Sequence, residues 1–449
     1  MSRSVRMAVI ACGLLVIGGT VAWASGLVDP VWVGSNGTIA ACVQNDSGNL
    51  RLIDPSSKRQ DIDSCRKGET RISFNQKGQQ GAPGPQGPQG PAGTLPGPAN
   101  VTVNCSQGQT IDGALAANAA ATSVQITVQG TCTESVGINQ DNVTLQAGSA
   151  GAGIQAPSAN QDVIDINDAR HVMVQGLTLT GGNAGINASG GDFQANDLHI
   201  TDASNGVNAG GEAFGYLTNV SIDGCNDGVN AGAAEIGVTG GSITGCQGFG
   251  VIAQDGGSVI LNGGATVTAA RQDVVAQYGG TVEIGDATIS NATNTDVFAF
   301  GGSITVAGSG TLVTGSAFSG VAASDGGNAA VENGAVVSGN NGGVSADSGG
   351  HLLIQDGGIV ENNNGVGVSL RGASSLRMRG APVVQDNTGD GIHLSDASVA
   401  ELDASDVVTG NGGYGIVCDG LPSVAVIRGN PGTVSGNVDG QIACQSAGG

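Results

Sequence analysis

From residue 160 onward one phrase recurs along the chain: glycine or aspartate, a β-branched residue, any residue, then most often alanine or leucine. Its copies run Gly185-Ile186, Gly206-Val207, Gly228-Val229, Gly250-Val251, Asp273-Val274, Asp296-Val297, Gly320-Val321, Gly343-Val344, Gly367-Val368, Gly391-Ile392 and Gly415-Ile416, spaced 21 to 24 residues apart. A second apolar column falls between them at Leu179, Ile200, Ile222, Ile243, Val267, Ile289, Val313, Val337, Val360, Val384, Val408 and Val434, each followed by a turn rich in Gly, Asn, Asp or Ser. Every period therefore holds short alternating strands separated by turns, with no helical pattern between them. A repeat of this length marks a solenoid, and strands this short point to a parallel β-helix of about 12–14 coils, each pairing with the next. At ~4.8 Å per coil, twelve coils make a rod roughly 60 Å long. Its interior is filled by stacked Val, Ile, Leu and Ala, which lets a chain with 3% aromatic residues keep a core.

The turn columns support the same register. Asn340, Asn363, Asn387, Asn411 and Asn437 each lie three residues after the second apolar column, on five successive coils. Amides stacked this way can bond along the rod as an asparagine ladder. Cys225 and Cys246 occupy the same column earlier, and Cys418 and Cys444 each follow an isoleucine by two residues. Residues one coil apart have Cα separations near ~5 Å, within disulfide range, so the register predicts Cys225–Cys246 and Cys418–Cys444 pairs.

The segment ahead of the repeat reads as a cap. Thr110 to Ala120 has the pattern of a short helix with one apolar face, and strands follow at Val124–Val128 and Val143–Leu145. With Gly130-Thr131-Cys132-Thr133-Glu134, this resembles the opening of pectate-lyase-like right-handed β-helix proteins, in which a helix plugs the first coil. The resemblance covers residues 101–449 and implies an all-β, right-handed parallel β-helix over residues 99–449, with Cys105 paired to Cys132 in the cap. It speaks to fold and not to function.

Farther upstream, Gly78, Gly81, Gly84, Gly87, Gly90 and Gly93 recur every third residue with prolines between them, the collagen pattern, until Pro96-Gly97 breaks the phase. Residues 78–98 are thus a collagen-like linker, either an extended spacer or a triple helix locked by its neighbours. Residues 25–77 resemble the cysteine-bounded module that precedes collagen-like repeats in bacterial exported proteins. The module is too small for a large core, so a Cys42–Cys65 disulfide is expected to staple it. At the amino terminus Arg3 and Arg6 precede an apolar run from Met7 to Val21 and the small-residue site Ala22-Trp23-Ala24, a secretory signal over residues 1–24. The length of the run, and Val9-Ile10-Ala11 before Cys12, leave an uncleaved anchor and a lipid anchor as rival readings. Removing Cys12 leaves eight cysteines, an even number suited to an oxidising compartment. Secretion or cell-surface display is expected.

Charge narrows the partners. Lys58, Lys67 and Lys77 all precede residue 98, and beyond it six arginines against 31 acidic residues leave −25. A rod so acidic repels nucleic acid and anionic membrane.

Catalytic chemistry is hard to place. Enzymes of the pectate-lyase-like superfamily use clustered aspartates, with calcium or as acid and base, helped by a Lys or Arg. Asn294-Thr295-Asp296 is similar to one polygalacturonase motif, but no Asp-Asp, Gly-His-Gly or Arg-Ile-Lys accompanies it. Asp296 also falls at the recurrent glycine position, where a turn role is expected. The basic cluster Arg371, Arg377 and Arg379 has a plainer account in the register: Arg377 stacks on Glu401 and Arg379 on Asp403. His171, His199, His351 and His393 lie in different coils without ligand spacing, so no catalytic or metal residue is assigned. Calcium remains open only for a turn column of Asp255, Asp325 and Asp396.

One surface feature stands out. The outward position after the β-branched residue is Asn187, Asn208 and Asn230, then Ile252, Val275 and Phe298, with Phe300 two residues on. An apolar stripe of this kind marks an interface, and joined to the collagen-like linker it predicts a homotrimer. The expected function is that of an exported, non-catalytic β-helix with a structural, adhesive or glycan-binding role. The alternative is a carbohydrate-active enzyme, a polysaccharide lyase or hydrolase that would need calcium to bridge a polyuronate to so acidic a rod.

Overall fold

A computed structural model describes residues 36–57, 62–75, 97–420, 423–427 and 434–444. The signal and anchor readings at residues 1–24, and nearly all of the Gly-X-Y stretch, lie outside these residues. The chain divides into two compact units, Met1–Gly93 and Thr94–Gly449. No helix among the described residues is long and apolar enough to cross a membrane.

In the first unit the strand Thr38–Gln44 pairs antiparallel with Leu50–Ile53 on one side and Glu69–Asn75 on the other. Strand alternation sends Ala40, Cys42 and Ile53 into a small core against Cys65, and a Cys42–Cys65 disulfide closes it. Across the sheet Arg51 meets Glu69 at 2.6 Å, and that hydrogen bond holds the Glu69 carboxyl below its usual range.

The second unit is a right-handed parallel β-helix. Sheet 1 runs from Val136–Ile138 to Gly440–Ala443, sheet 2 from Ala99–Asn104 to Val424–Ile427, and sheet 3 from Thr131–Thr133 to Val434–Ser435. They hold fourteen, fifteen and fourteen strands. The count exceeds the 12–14 coils expected because the segment read as a cap already coils, with Ala99–Asn104 pairing in parallel with Val124–Gln129. Ahead of the coils sits α1, Ile111–Ala117, whose Ile111 and Leu115 are buried in the end of the core. Thr110 caps it, its hydroxyl accepting from the Gly113 amide.

Inside, both apolar columns are buried from end to end. The asparagine ladder is buried with them. Asn340, Asn363, Asn387 and Asn411 each donate from Nδ2 to Oδ1 of the next ladder residue, at 2.8–3.1 Å. The same oxygens accept backbone amides of the coil before, and Asn437 closes the run on Gln441. The glycine column is set by the coil that follows. A Cβ at Gly206 or Gly343 would stand 2.5 or 2.3 Å from a backbone oxygen one coil on and 2.5 or 2.6 Å from the Ile222 or Val360 side chain, and at Gly343 the Asn363 amide adds a further contact at 2.9 Å.

Each ladder asparagine satisfies donors that are sealed from water, and an unpaired buried donor costs about 1–3 kcal/mol. Asn363→Ala strands the Asn340 backbone N–H and removes one of the three acceptors of the Asn340 amide, which keeps the Val313 and Ser338 carbonyls. The substitution should lower stability by about 1–3 kcal/mol. Urea titration of the purified chain measures this as an earlier midpoint.

Candidate functional site

Strand alternation gives sheet 1 an outward column at the residue after each β-branched position. Read by pairing, it is Asp165, Asn187, Asn208 and Asn230, then Ile252, Val275, Phe298 and Ala322, then Ser345, Ser369, His393 and Val417. In the first third the side chains bond to one another, Asn208 to Asn187 and Asn187 to Asp165. The amide of Gln254 continues the run to Asn230, and that of Gln277 to Gln254.

The apolar third differs from its expected exposure. Ile252 and Val275 are only 3% and 1% exposed. They lie between Asn230 and Phe298 along the column, and the bonded Gln254 and Gln277 stand beside them on the same face. Phe298 and Phe300 are half-buried, 6.1 Å apart, with Tyr278 edge-on to Phe300. The stripe is thus closed within the chain and offers no continuous apolar surface.

The last third opens into a groove of about 600 Å3. Phe298, Ala322, Ser345, Ser369 and His393 form its floor in successive coils, and Phe318, with 60% of its surface exposed, Arg371 and Asp347 complete its lining. Arg371 pairs with Asp347 one coil back, and this hydrogen bond holds the Asp347 carboxyl below its usual range. His393 Nδ1 lies 3.1 Å from Asp390 and its Nε2 2.9 Å from Asp419. Both contacts are hydrogen bonds only when the ring carries both protons. The groove therefore combines aromatic faces, a hydroxyl floor, one paired cation and a histidine held between carboxylates.

Of these groove residues the sequence marks Phe298, as part of an interface stripe, and offers Arg371 and His393 without assigning them a site. The column that revealed Ile252, Val275 and Phe298 reaches Ser345, Ser369 and His393 when followed four coils further. Phe318 carried no such signal.

The other candidates are scattered. Arg371 borders the groove on sheet 1, whereas Arg377 and Arg379 belong to the sheet 2 strand Ser375–Arg379, so the three form no cluster. Arg377 pairs in register with Glu401. Arg379 instead donates to Gln355 at 2.7 Å, one coil back rather than forward to Asp403. His199 and His351 each meet a serine of the next coil at 2.7 Å, and His171 sits 3.9 Å from Asp192. Asp255, Asp325 and Asp396 have φ near +50° and precede a second residue of positive φ, the backbone of a tight turn that Asp tolerates. Among the described residues the one set of three potential metal ligands within 4.8 Å of each other is Cys42, Cys65 and Glu69, and its sulfurs are bonded to each other. The structure joins the four cysteine pairs read from the sequence, Cys42–Cys65, Cys105–Cys132, Cys225–Cys246 and Cys418–Cys444.

Asp296 is no turn residue. It points inward, fully buried, beside Asp273 of the preceding coil. Here the ladder column holds Ala270 and Ala292, which have no side-chain amide, and the neighbouring glycine column supplies carboxyls in its place. Asp273 and Asp296 accept the Ala270 and Ala292 backbone amides at 2.9 and 2.8 Å. Burial pushes both up, Asp273 to about 7 and Asp296 to about 8. A pair sealed in the core cannot reach a substrate.

The right-handed β-helix region family matches residues 273–430. No curated protein matches the chain. Among solved structures, the A-module of mannuronan C-5 epimerase AlgE6 from Azotobacter vinelandii aligns over 74% of this chain and 92% of its own, with 10% identity and a TM-score of 0.37. The AlgE4 A-module of the same organism aligns over 75% and 93%, with 13% identity and a TM-score of 0.34. Nothing about activity follows from likeness at this level.

The aspartate pair makes a pH prediction. Both carboxyls keep a proton in the folded chain at pH values where the unfolded chain, with an aspartate pKa of 3.8, has lost it. Their contribution is fully present below about pH 4 and is lost as pH rises through about 7–8. Melting temperature should fall over that rise, and the double variant Asp273→Asn, Asp296→Asn should show a flatter slope. Parallel slopes in calorimetry of the two proteins would contradict it.

Proposed function

We propose that this chain is an exported, non-catalytic glycan-binding rod, with the sheet 1 groove as its binding surface and residues 78–98 as a collagen-like stalk that holds it away from the cell or particle surface. The groove is the observation that supports the reading. Sugar rings present apolar faces and hydroxyl edges, which suit aromatic side chains and a floor of serines. Side chains repeated at ~4.8 Å per coil offer the same contacts again to an extended chain of repeating units. Four disulfides fit the oxidising compartment that export implies.

Charge selects within that class. Arg371 is neutralised by Asp347, and Asp390 and Asp419 flank His393. Acidic polysaccharides would meet net negative charge on a rod that is negative throughout, so the ligand is a glycan without acidic groups. With Ile252 and Val275 buried, we rest any trimer contact on other residues.

One observation favours the enzymatic alternative, a lyase or hydrolase of polysaccharides: His393, with a carboxylate beside each ring nitrogen and lining the groove, is the kind of group that moves protons. In that case calcium is dispensable for non-acidic substrates.

Titration calorimetry against neutral and uronate oligosaccharides tests the leading reading. Neutral chains should bind, and Phe318→Ala should weaken them by about tenfold, the loss of one aromatic contact of about 1.5 kcal/mol. Release of reducing ends or unsaturated products from any bound polysaccharide, abolished in His393→Ala, would replace binding with catalysis as the function.

A further inference from the structure

The Cys42–Cys65 module has two unequal sheet faces. One carries Ala40, Cys42 and Ile53 into the small core. On the other, register places Leu52 and Ile72 on either side of Ala41, Leu50 beside Val43, and Phe74 beside Ile39. Leu50 is 53% exposed, Phe74 45%, and Leu52 and Ile72 37% each. Four large apolar side chains thus share one open face of a sheet only three strands wide. Scattered exposed leucines need no explanation, but a contiguous set on so small a module does.

The next stretch of the chain points to the occupant of this face. The strand carrying Ile72 and Phe74 ends at Asn75, and the Gly-X-Y repeat starts at Gly78. Three residues span at most ~10 Å. A collagen triple helix requires three chains in register, because its axis admits only glycine. Six triplets are too few to align three chains unaided, so the register must be set beside them. The sheet 1 stripe is closed within its own chain and cannot set it.

We propose that the open face of the Cys42–Cys65 module, formed by Leu50, Leu52, Ile72 and Phe74, is the contact through which three copies of this chain assemble and start the Gly-X-Y helix. The inference rests on the stalk reading for residues 78–98 and is independent of what the groove binds. Burying the faces together raises the local concentration of the three repeats, which then add their own association.

Light scattering and sedimentation of the full-length chain, with circular dichroism in the triple-helix region, test it. A trimer is expected at micromolar concentration. Leu50→Glu and Phe74→Glu, made separately at exposed positions, should each raise the concentration for half-dissociation by at least about fortyfold, since one buried side chain of about 1.5–3 kcal/mol is lost from every copy. Retention of the Cys42–Cys65 disulfide in both variants shows that the module still folds. A monomer or dimer of the unaltered chain, or a trimer that survives both substitutions, overturns the proposal. A trimer that lacks a triple-helix signal yet dissociates in both variants supports the interface and removes only the stalk reading.

Discussion

Everything in the larger unit depends on stacking each residue on its counterpart one coil away. A parallel coil leaves its backbone donors and acceptors for the coils on either side, so no coil is stable alone and each position must suit two neighbours. Inward positions have the least freedom, because the core is only a few side chains across. The two columns of Val, Ile and Leu are that constraint made visible, and α1 is needed because the first coil has no earlier coil to cover it.

The same constraint shapes the polar interior. Where the ladder has asparagine, the next column is glycine; at Ala270 and Ala292 aspartate stands in that column and accepts the same kind of backbone amide, whereas beside Ala203 the column keeps glycine, Gly206. The two solutions exchange volume and hydrogen-bonding capacity between adjacent columns. They differ in electrostatics, since stacked amides are neutral and complementary whereas stacked carboxyls must keep a proton to share the site.

Outward columns face no such demand and can change character every few coils. On sheet 1 the outward column passes from bonded amides to packed apolar groups to serines and a histidine. Only the last stretch leaves room for a ligand, because small serines follow the bulky Phe298 and Phe318 and leave a hollow that Arg371 and His393 border. The groove is made by a change in side-chain size along a regular frame, with no loop inserted to build it.

The sequence alone determined the solenoid, its register, the asparagine ladder and the column partners of Cys225 and Cys418, because stacking turns a linear period into spatial neighbours. Its count of coils stopped short since the first strands, Ala99–Asn104 and Val124–Gln129, lie apart by an inserted helix that hides their period. Only the tertiary structure decided which outward residues are free. Ile252 and Val275 read as exposed from their column, yet both are buried; Asp296 read as a turn residue, yet its side chain turns inward to accept the Ala292 amide. Arg371 and His393 likewise gained meaning from neighbours across coils. The period tells which residues stack, but exposure depends on the volumes of residues in adjoining columns, and those meet only when the chain has coiled.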